Sequence, residues 1–159
     1  MRLDLALVIG LILLVDQFTK FLASTYLTYA EPIGVLPFFS LTLLHNTGAA
    51  FSFLADASGW QRWLFLTLAV GVSGYSIWSL RDPGLCRWMQ TGFVLLIPGA
   101  IGNGVDRVAF GYVVDFLHFH WGSWSFPAFN IADTSITLAA GCLLIGWYLD
   151  ARHRSKLQG

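Results

Sequence analysis

Four stretches of the chain, residues 3–22, 63–80, 88–108 and 131–149, are apolar over nearly the length needed to cross a bilayer. A spanning helix takes about 20 mostly apolar residues, and in hydrocarbon all of its backbone polar groups must be satisfied internally. Only 11% of the 159 residues are charged, against roughly 25% in a soluble domain. So few charges cannot cover a surface that faces water. The chain therefore reads as a single integral membrane domain over 1–159, mainly α-helical. Gly92, Gly99 and Gly102 would let the third span approach a neighbour closely. A net charge of zero gives no footing for nucleic acid. Cys86 and Cys142 stand apart, without the spacing of a redox pair or a metal site.

Asp16 and Lys20 interrupt the first stretch, and no small-x-small cleavage site follows it, so it reads as a retained span. Orientation follows from the basic residues. Arg2, Arg81, Arg87, Arg152, Arg154 and Lys156 fall on one side, and Lys20, Arg62 and Arg107 lie toward the other. Both termini and the short "RDPGLCR" connection are thus expected in the cytoplasm. The two long connections, about 23–61 and 109–130, face outward. Trp60, Trp63, Trp121 and Trp124 fall on that outer side and could form an interfacial belt.

A charge at the centre of a membrane helix costs about 2.5–3.5 kcal/mol on insertion scales, so polar residues in the spans ask for a reason. Of Asp16, Lys20, Arg62, Asn103, Asp106, Arg107, Asp115, Asn130 and Asp133, nearly all lie toward the outer ends of their spans. A proton or ion pathway would scatter them through the membrane depth, whereas these form one layer. Asp16 and Lys20, four apart, share a helix face; they read either as a simple ion pair or as a pair facing a polar cavity. Arg107 could hold a carboxylate or a backbone carbonyl, or reach for headgroups.

Two strand-like segments, "FFSLTLLH" and "YVVDFLHFHW", sit in the outward connections. On the second, Val113, Asp115, Leu117, Phe119 and Trp121 would share one face, where the acid stands among apolar neighbours. His118 and His120 alternate onto the other face, and without a third ligand they read as surface histidines. Asp133 opens the fourth helix, with Asn130 as its expected N-cap. Alone it would be an ordinary first-turn acid. Together with Asp115 it borders one loop on one side of the membrane, and the two can converge. Carboxylates about 3 Å apart share a proton, and their apparent pKa values split. The ionised partner can take a proton from water while the neutral one protonates a carbonyl, which is metal-free peptide hydrolysis. The helix N-terminus favours the charge on Asp133, leaving the shared proton on Asp115. Other hydrolytic signatures, GxSxG and HExxH, do not occur. "HNTG" has asparagine where an aspartic protease triplet has its acid. "GNGVD" is one residue too long for GxGD, which argues against a catalytic Asp106.

"DQFTK", "HNTGAAFSF", "GAIGNGVDR", "GYVVDF" and "FNIAD" occur in that order across the chain. Together they closely resemble the motifs of the bacterial lipoprotein signal peptidases, also called signal peptidase II. The resemblance implies four transmembrane helices, a small extracytoplasmic β-cradle and a short periplasmic helix. It implies an aspartic endopeptidase of the inner membrane, acting near the periplasmic face. Such an enzyme removes signal peptides from diacylglyceryl-modified prolipoproteins by cutting just before the lipidated cysteine. Asp115 and Asp133 match the catalytic dyad. Asp16, Lys20, Asn46, Gly48, Asn103, Arg107, Asn130 and Ala132 match positions that shape or support the site. No metal or cofactor is implied; membrane lipids are expected partners, and the chain is expected to act as a monomer. One departure is Pro98, where many members have glycine, which bears on local helix geometry. A four-helix transporter would need polar groups at mid-depth, a quinone-linked thiol oxidase would need paired outer cysteines, and a plain anchor would leave the acidic layer unexplained.

Overall fold

The computed structural model describes residues 3–48 and 59–158. The chain runs α1 (Leu3–Tyr26), β1 (Ile33–Leu36), β2 (Phe39–Asn46), α2 (Gln61–Ser79), α3 (Arg87–Phe110), β3 (Val113–Trp121), β4 (Trp124–Ser125) and α4 (Ile131–Gln158). The helices pack around α3, which touches α1, α2 and α4.

The packing is inside-out. On α1 the buried residues are Ile9, Asp16, Lys20 and Ala23, a stripe at helical spacing that includes both charges. Leu7, Leu11, Leu14, Phe18 and Phe21 are exposed instead. Such a surface suits lipid and not water. Helices α1 and α3 and residues Ile131–Arg154 of α4 are long and apolar enough to cross a membrane. The expected second span, 63–80, forms helix α2 but does not reach that apolarity. It turns Gln61, Ser73, Ser76 and Ser79 inward, and these lower its overall hydropathy.

Helix α3 meets α4 through glycine. A Cβ on Gly99 would stand 2.7 Å from the Ala132 carbonyl oxygen and 2.6 Å from Ile136 Cγ1, so only hydrogen fits there. Pro98 leaves α3 unbroken. A proline removes one helix hydrogen bond and crowds the preceding turn. The buried Ser135 hydroxyl of α4 donates to the Leu95 carbonyl at 2.7 Å, on that same turn. The helix bond that Pro98 removes is the one to the Val94 carbonyl, one residue earlier, so Ser135 ties α4 to the turn beside the proline and does not replace that bond.

The sheet is antiparallel in the order β1-β2-β3-β4. Gly111 ends α3 in the left-handed conformation (φ 86°), and the chain enters β3 two residues later. The expected alternation of β3 fails over its first half, where Val113, Val114, Asp115 and Phe116 are all buried. Val114 and Phe116 pack with Ala23 and Leu43 between α1 and the sheet. Both faces of β3 are covered there, and alternation marks only a half-exposed strand. Helix α4 runs well past residue 149, because "DARHRSK" continues it as a polar helix with an exposed Asp150–Arg154 pair at 2.9 Å. Among the described residues there is no helix beyond these four. Residues 49–58 of the first long connection, including the "AAFSF" of its motif, lie outside the described residues.

Gly99→Ala is expected to lower unfolding stability by about 1–3 kcal/mol through overpacking. Gly141→Ala, inside α4 where an added Cβ meets nothing within 4 Å, should not lower it and is expected to raise it by about 0.5–1 kcal/mol through helix propensity. Thermal unfolding in detergent measures both.

Candidate active site

Backbone pairing brings the two candidate acids together. Leu117 of β3 exchanges hydrogen bonds with Phe129, its N–H donating at 2.9 Å and its carbonyl accepting at 3.0 Å. This clamps the start of α4 against the strand that carries Asp115. Asn130 then caps α4. Its Oδ1 accepts from the Asp133 N–H at 2.9 Å, and its own N–H donates to Asp133 Oδ2 at 3.3 Å, a reciprocal capping box with aspartate in the glutamate position.

Asp115 and Asp133 line one cavity of about 1080 Å³, together with Asn46, Asn103 and Arg107. Asn130 lies between the acids. Its Nδ2 donates to Asp115 Oδ1 at 2.7 Å, to Asn103 Oδ1 at 3.2 Å and to the Val114 carbonyl at 3.2 Å. Asn46 Nδ2 donates to Asp115 Oδ2 at 3.2 Å, while its Oδ1 accepts from the Gly48 N–H at 3.0 Å. The asparagine of "HNTG" thus serves as a donor to the acid. Asn103 Nδ2 donates to Asp133 Oδ1 at 2.7 Å. Burial, and then the charge on Asp133, push the Asp115 carboxyl up to about 7, against the pull of Asn46, Asn130 and Lys20. A carboxylic acid is thereby held partly protonated at neutral pH, as acid catalysis requires.

Arg107 is buried and holds carbonyls, not headgroups. It donates to Gly48 O at 2.7 Å and Asn103 O at 3.2 Å, with its guanidinium 4.7 Å from the centre of the Phe65 ring. Asp16 and Lys20 do form an intrahelical pair, at 2.9 Å, but they lie behind the cavity and belong to a larger cluster. Lys20 also meets Asp106 at 3.0 Å and Asn103 Oδ1 at 3.0 Å. Asp16 Oδ1 accepts the Ala132 N–H at 2.8 Å, and Asp106 Oδ2 accepts the Val114 N–H at 3.0 Å. Ala132 is fully buried against the α3 glycines. Asp106 is therefore a structural acid. Gln17 was not singled out in the sequence, yet its Nε2 donates to Asp106 at 3.0 Å, Asp16 at 3.2 Å and the Gly102 carbonyl at 3.2 Å. An amide inside an apolar stretch, next to a buried charge, was the available signal. His118 and His120 face each other at 5.7 Å, and both nitrogens of His118 have protein partners, Thr42 and Ser125. No cluster of three metal-ligating side chains occurs among the described residues.

The sequence profile described as "Signal peptidase (SPase) II" matches residues 8–149. The chain belongs to the signal peptidase II family. Among its relatives, the "Lipoprotein signal peptidase" of Acinetobacter baumannii (strain ATCC 17978) is 50% identical over 147 residues, covering 92% of this chain and 84% of the relative. That of Shewanella pealeana is 43% identical over 153 residues, covering 96% and 90%. Of solved structures, one described as a bacterial membrane enzyme at 2.3 Å matches with a TM-score of 0.82 and 30% identity, over 93% of this chain and 89% of that one. A second, at 1.9 Å, matches with a TM-score of 0.77, 28% identity and coverage of 91% and 92%. Membership of this family agrees with a membrane-embedded aspartic peptidase.

Gln17→Leu is expected to cost about 1–3 kcal/mol, since it strips a donor from two buried acids. Gln17→Glu should cost more, by placing a third carboxyl against Asp16 and Asp106. Its deficit should shrink between pH 8 and pH 5, as protonation relieves the repulsion. Thermal melts at the two pH values test this.

Proposed function

We propose that this signal peptidase II family member is an aspartic endopeptidase that removes signal peptides from diacylglyceryl-modified prolipoproteins, cutting just before the lipidated cysteine, with Asp115 and Asp133 as the catalytic dyad. The observation that carries this reading is the convergence of two acids from separate elements on one cavity, bridged by Asn130. Asp133 is the ionised partner. It sits in the first turn of α4, where the helix N-terminus favours negative charge. Asp115, with its carboxyl pushed up to about 7, carries the shared proton.

The reaction follows from that division. Water attacks the scissile carbonyl carbon as Asp133 takes its proton. Asp115 gives its proton to the carbonyl oxygen, forming a gem-diol. Asp133 then passes the proton to the amide nitrogen, the C–N bond breaks, and Asp115 regains a proton from the gem-diol hydroxyl. The products are a new carboxyl terminus and a free amine on the lipidated cysteine.

The substrate's acyl chains would keep that cysteine at the membrane surface, so the bond before it must lie near an interface. The sheet and both acids occupy one end of the bundle, the end where Arg62 donates to the Val108 carbonyl at 2.9 Å. We take that end as periplasmic, in an inner membrane crossed by all four helices, α2 included, with both termini cytoplasmic. The cavity's apolar floor of Phe65, Leu68, Val72, Leu96 and Ile136 suits a signal helix or acyl chain among membrane lipids. The single domain acts as a monomer.

Purified protein should cleave a lipidated prolipoprotein with chelator present and cleave its unlipidated form poorly. Asp115→Asn and Asp133→Asn should each fold and lose about 10³-fold or more in turnover; near-normal turnover in either would remove the dyad. Because Asp115 must hold its proton, kcat/KM should fall as pH rises through about 7, by up to tenfold per unit.

A further inference from the structure

Asn103 touches Asp133 through one end of its amide and Lys20 through the other. We infer that Lys20, buried behind the cavity, acts as a positioning residue by fixing the orientation of the Asn103 amide, so that an N–H is always aimed at the water-activating carboxylate of Asp133. This rests on the aspartate-dyad reading and adds a role for Asn103, on the cavity wall, and for Lys20 behind it.

An ammonium carries three donors and no acceptor, and an asparagine amide has a donor end and an acceptor end. Lys20 Nζ stands 3.0 Å from Asn103 Oδ1, so the oxygen end must face the lysine. Asn130 Nδ2 presents a second donor to the same oxygen at 3.2 Å. The nitrogen end is then left for Asp133 Oδ1, at 2.7 Å. A flipped amide would set donor against donor at Lys20 and oxygen against oxygen at Asp133. Lys20 cannot swing away, because Asp16 and Asp106 hold it at 2.9 and 3.0 Å and it is almost wholly buried. The charged groups facing this amide are Lys20 and Asp16 from α1, Asp106 and Arg107 from α3, Asp115 from β3 and Asp133 from α4. Of these, Lys20 contacts the side-chain oxygen Oδ1, whereas Arg107 reaches the Asn103 main-chain carbonyl.

The isosteric Asn103→Asp variant separates orientation from packing. It keeps shape and the Lys20 contact but sets an acceptor against Asp133 at high pH. At low pH the new carboxyl is protonated and can donate again. The expected result is a kcat about 10²-fold or more below wild type at pH 8, the usual loss for a misplaced electrostatic donor. The ratio of variant to wild-type kcat should rise about tenfold or more on going to pH 5, with KM changed by less than about threefold. Asn103→Ala should give a smaller loss at pH 8 and a ratio that is flat with pH. A purely structural role predicts the reverse order, with alanine worse and neither ratio moving. Lys20→Met should lower kcat, and adding Asn103→Ala to it should cost less than about threefold further, because both act through one amide. If either variant fails to fold, neutron density on the wild-type protein decides, by showing deuterons on the Asn103 atom that faces Asp133. A flat ratio for Asn103→Asp, additive losses, or oxygen facing Asp133 overturns the inference. Failure of the dyad itself looks different, since the Asp115→Asn or Asp133→Asn protein would then retain turnover.

Discussion

One buried ammonium organises this protein. Lys20 is paired with two carboxylates, Asp16 and Asp106, and each acid spends its remaining capacity on the backbone of an element that bears a candidate catalytic residue. Asp16 takes the Ala132 N–H at the start of α4, next to Asp133. Asp106 takes the Val114 N–H of β3, next to Asp115. The cluster thus ties α1, α3, α4 and β3 at a single point. Two acids against one base leave an excess negative charge, and the Gln17 amide and those two backbone donors absorb it. Removing one partner from such a network leaves an uncompensated buried charge, at a cost of about 3–5 kcal/mol. A loose version of this cluster would move both acids at once.

Lipid makes this arrangement necessary. Apolar packing in water draws on the hydrophobic effect, but helices in a bilayer gain little by burying leucine against leucine. Their association rests on close backbone approach and on polar groups that have no other partner. Both occur here on α3. Its glycines let α3 come into contact with the Ala132 carbonyl of α4, while Asn103, Asp106 and Arg107 face inward a turn further on. Arg107 joins the β2 end to the bundle through the Gly48 carbonyl. The polar residues that cost most in the membrane are therefore also the ones that hold it together.

Much of this was legible in the sequence because membrane segments and helix caps leave local marks. The four helices, the Asn130 cap and the acids at one edge follow from hydropathy, cap chemistry and the placement of charge. Other features depend on partners distant in sequence, which periodicity does not encode. The double-sided burial of β3 needs Ala23 and Leu43 on its far side, so Asp115 is not the lone acid of a half-exposed strand. Gln17 reads as a helix residue until Asp106, 89 positions away, arrives beside it. The polar extension of α4 was missed because hydropathy marks a span and not a helix end. Pro98, the departure from the family pattern, leaves α3 a continuous helix, and the turn beside it is tied to α4 by Ser135.

The asymmetry between the two acids follows from their elements. Asp115 lies on a strand, where no aligned dipole favours charge, and its donors are the side-chain amides of Asn46 and Asn130. Asp133 lies in the first turn of a helix and receives a side-chain N–H from Asn103 and a backbone N–H from Asn130. Both face the same cavity, and the charge on Asp133 raises the Asp115 carboxyl. A helix end and an oriented amide both favour negative charge, and this is the ground on which the charge is assigned to Asp133 in the proposed dyad. On the proposed dyad, base and acid are made from the same side chain, and the choice of helix N-terminus for one and strand for the other is the difference that the proposal uses.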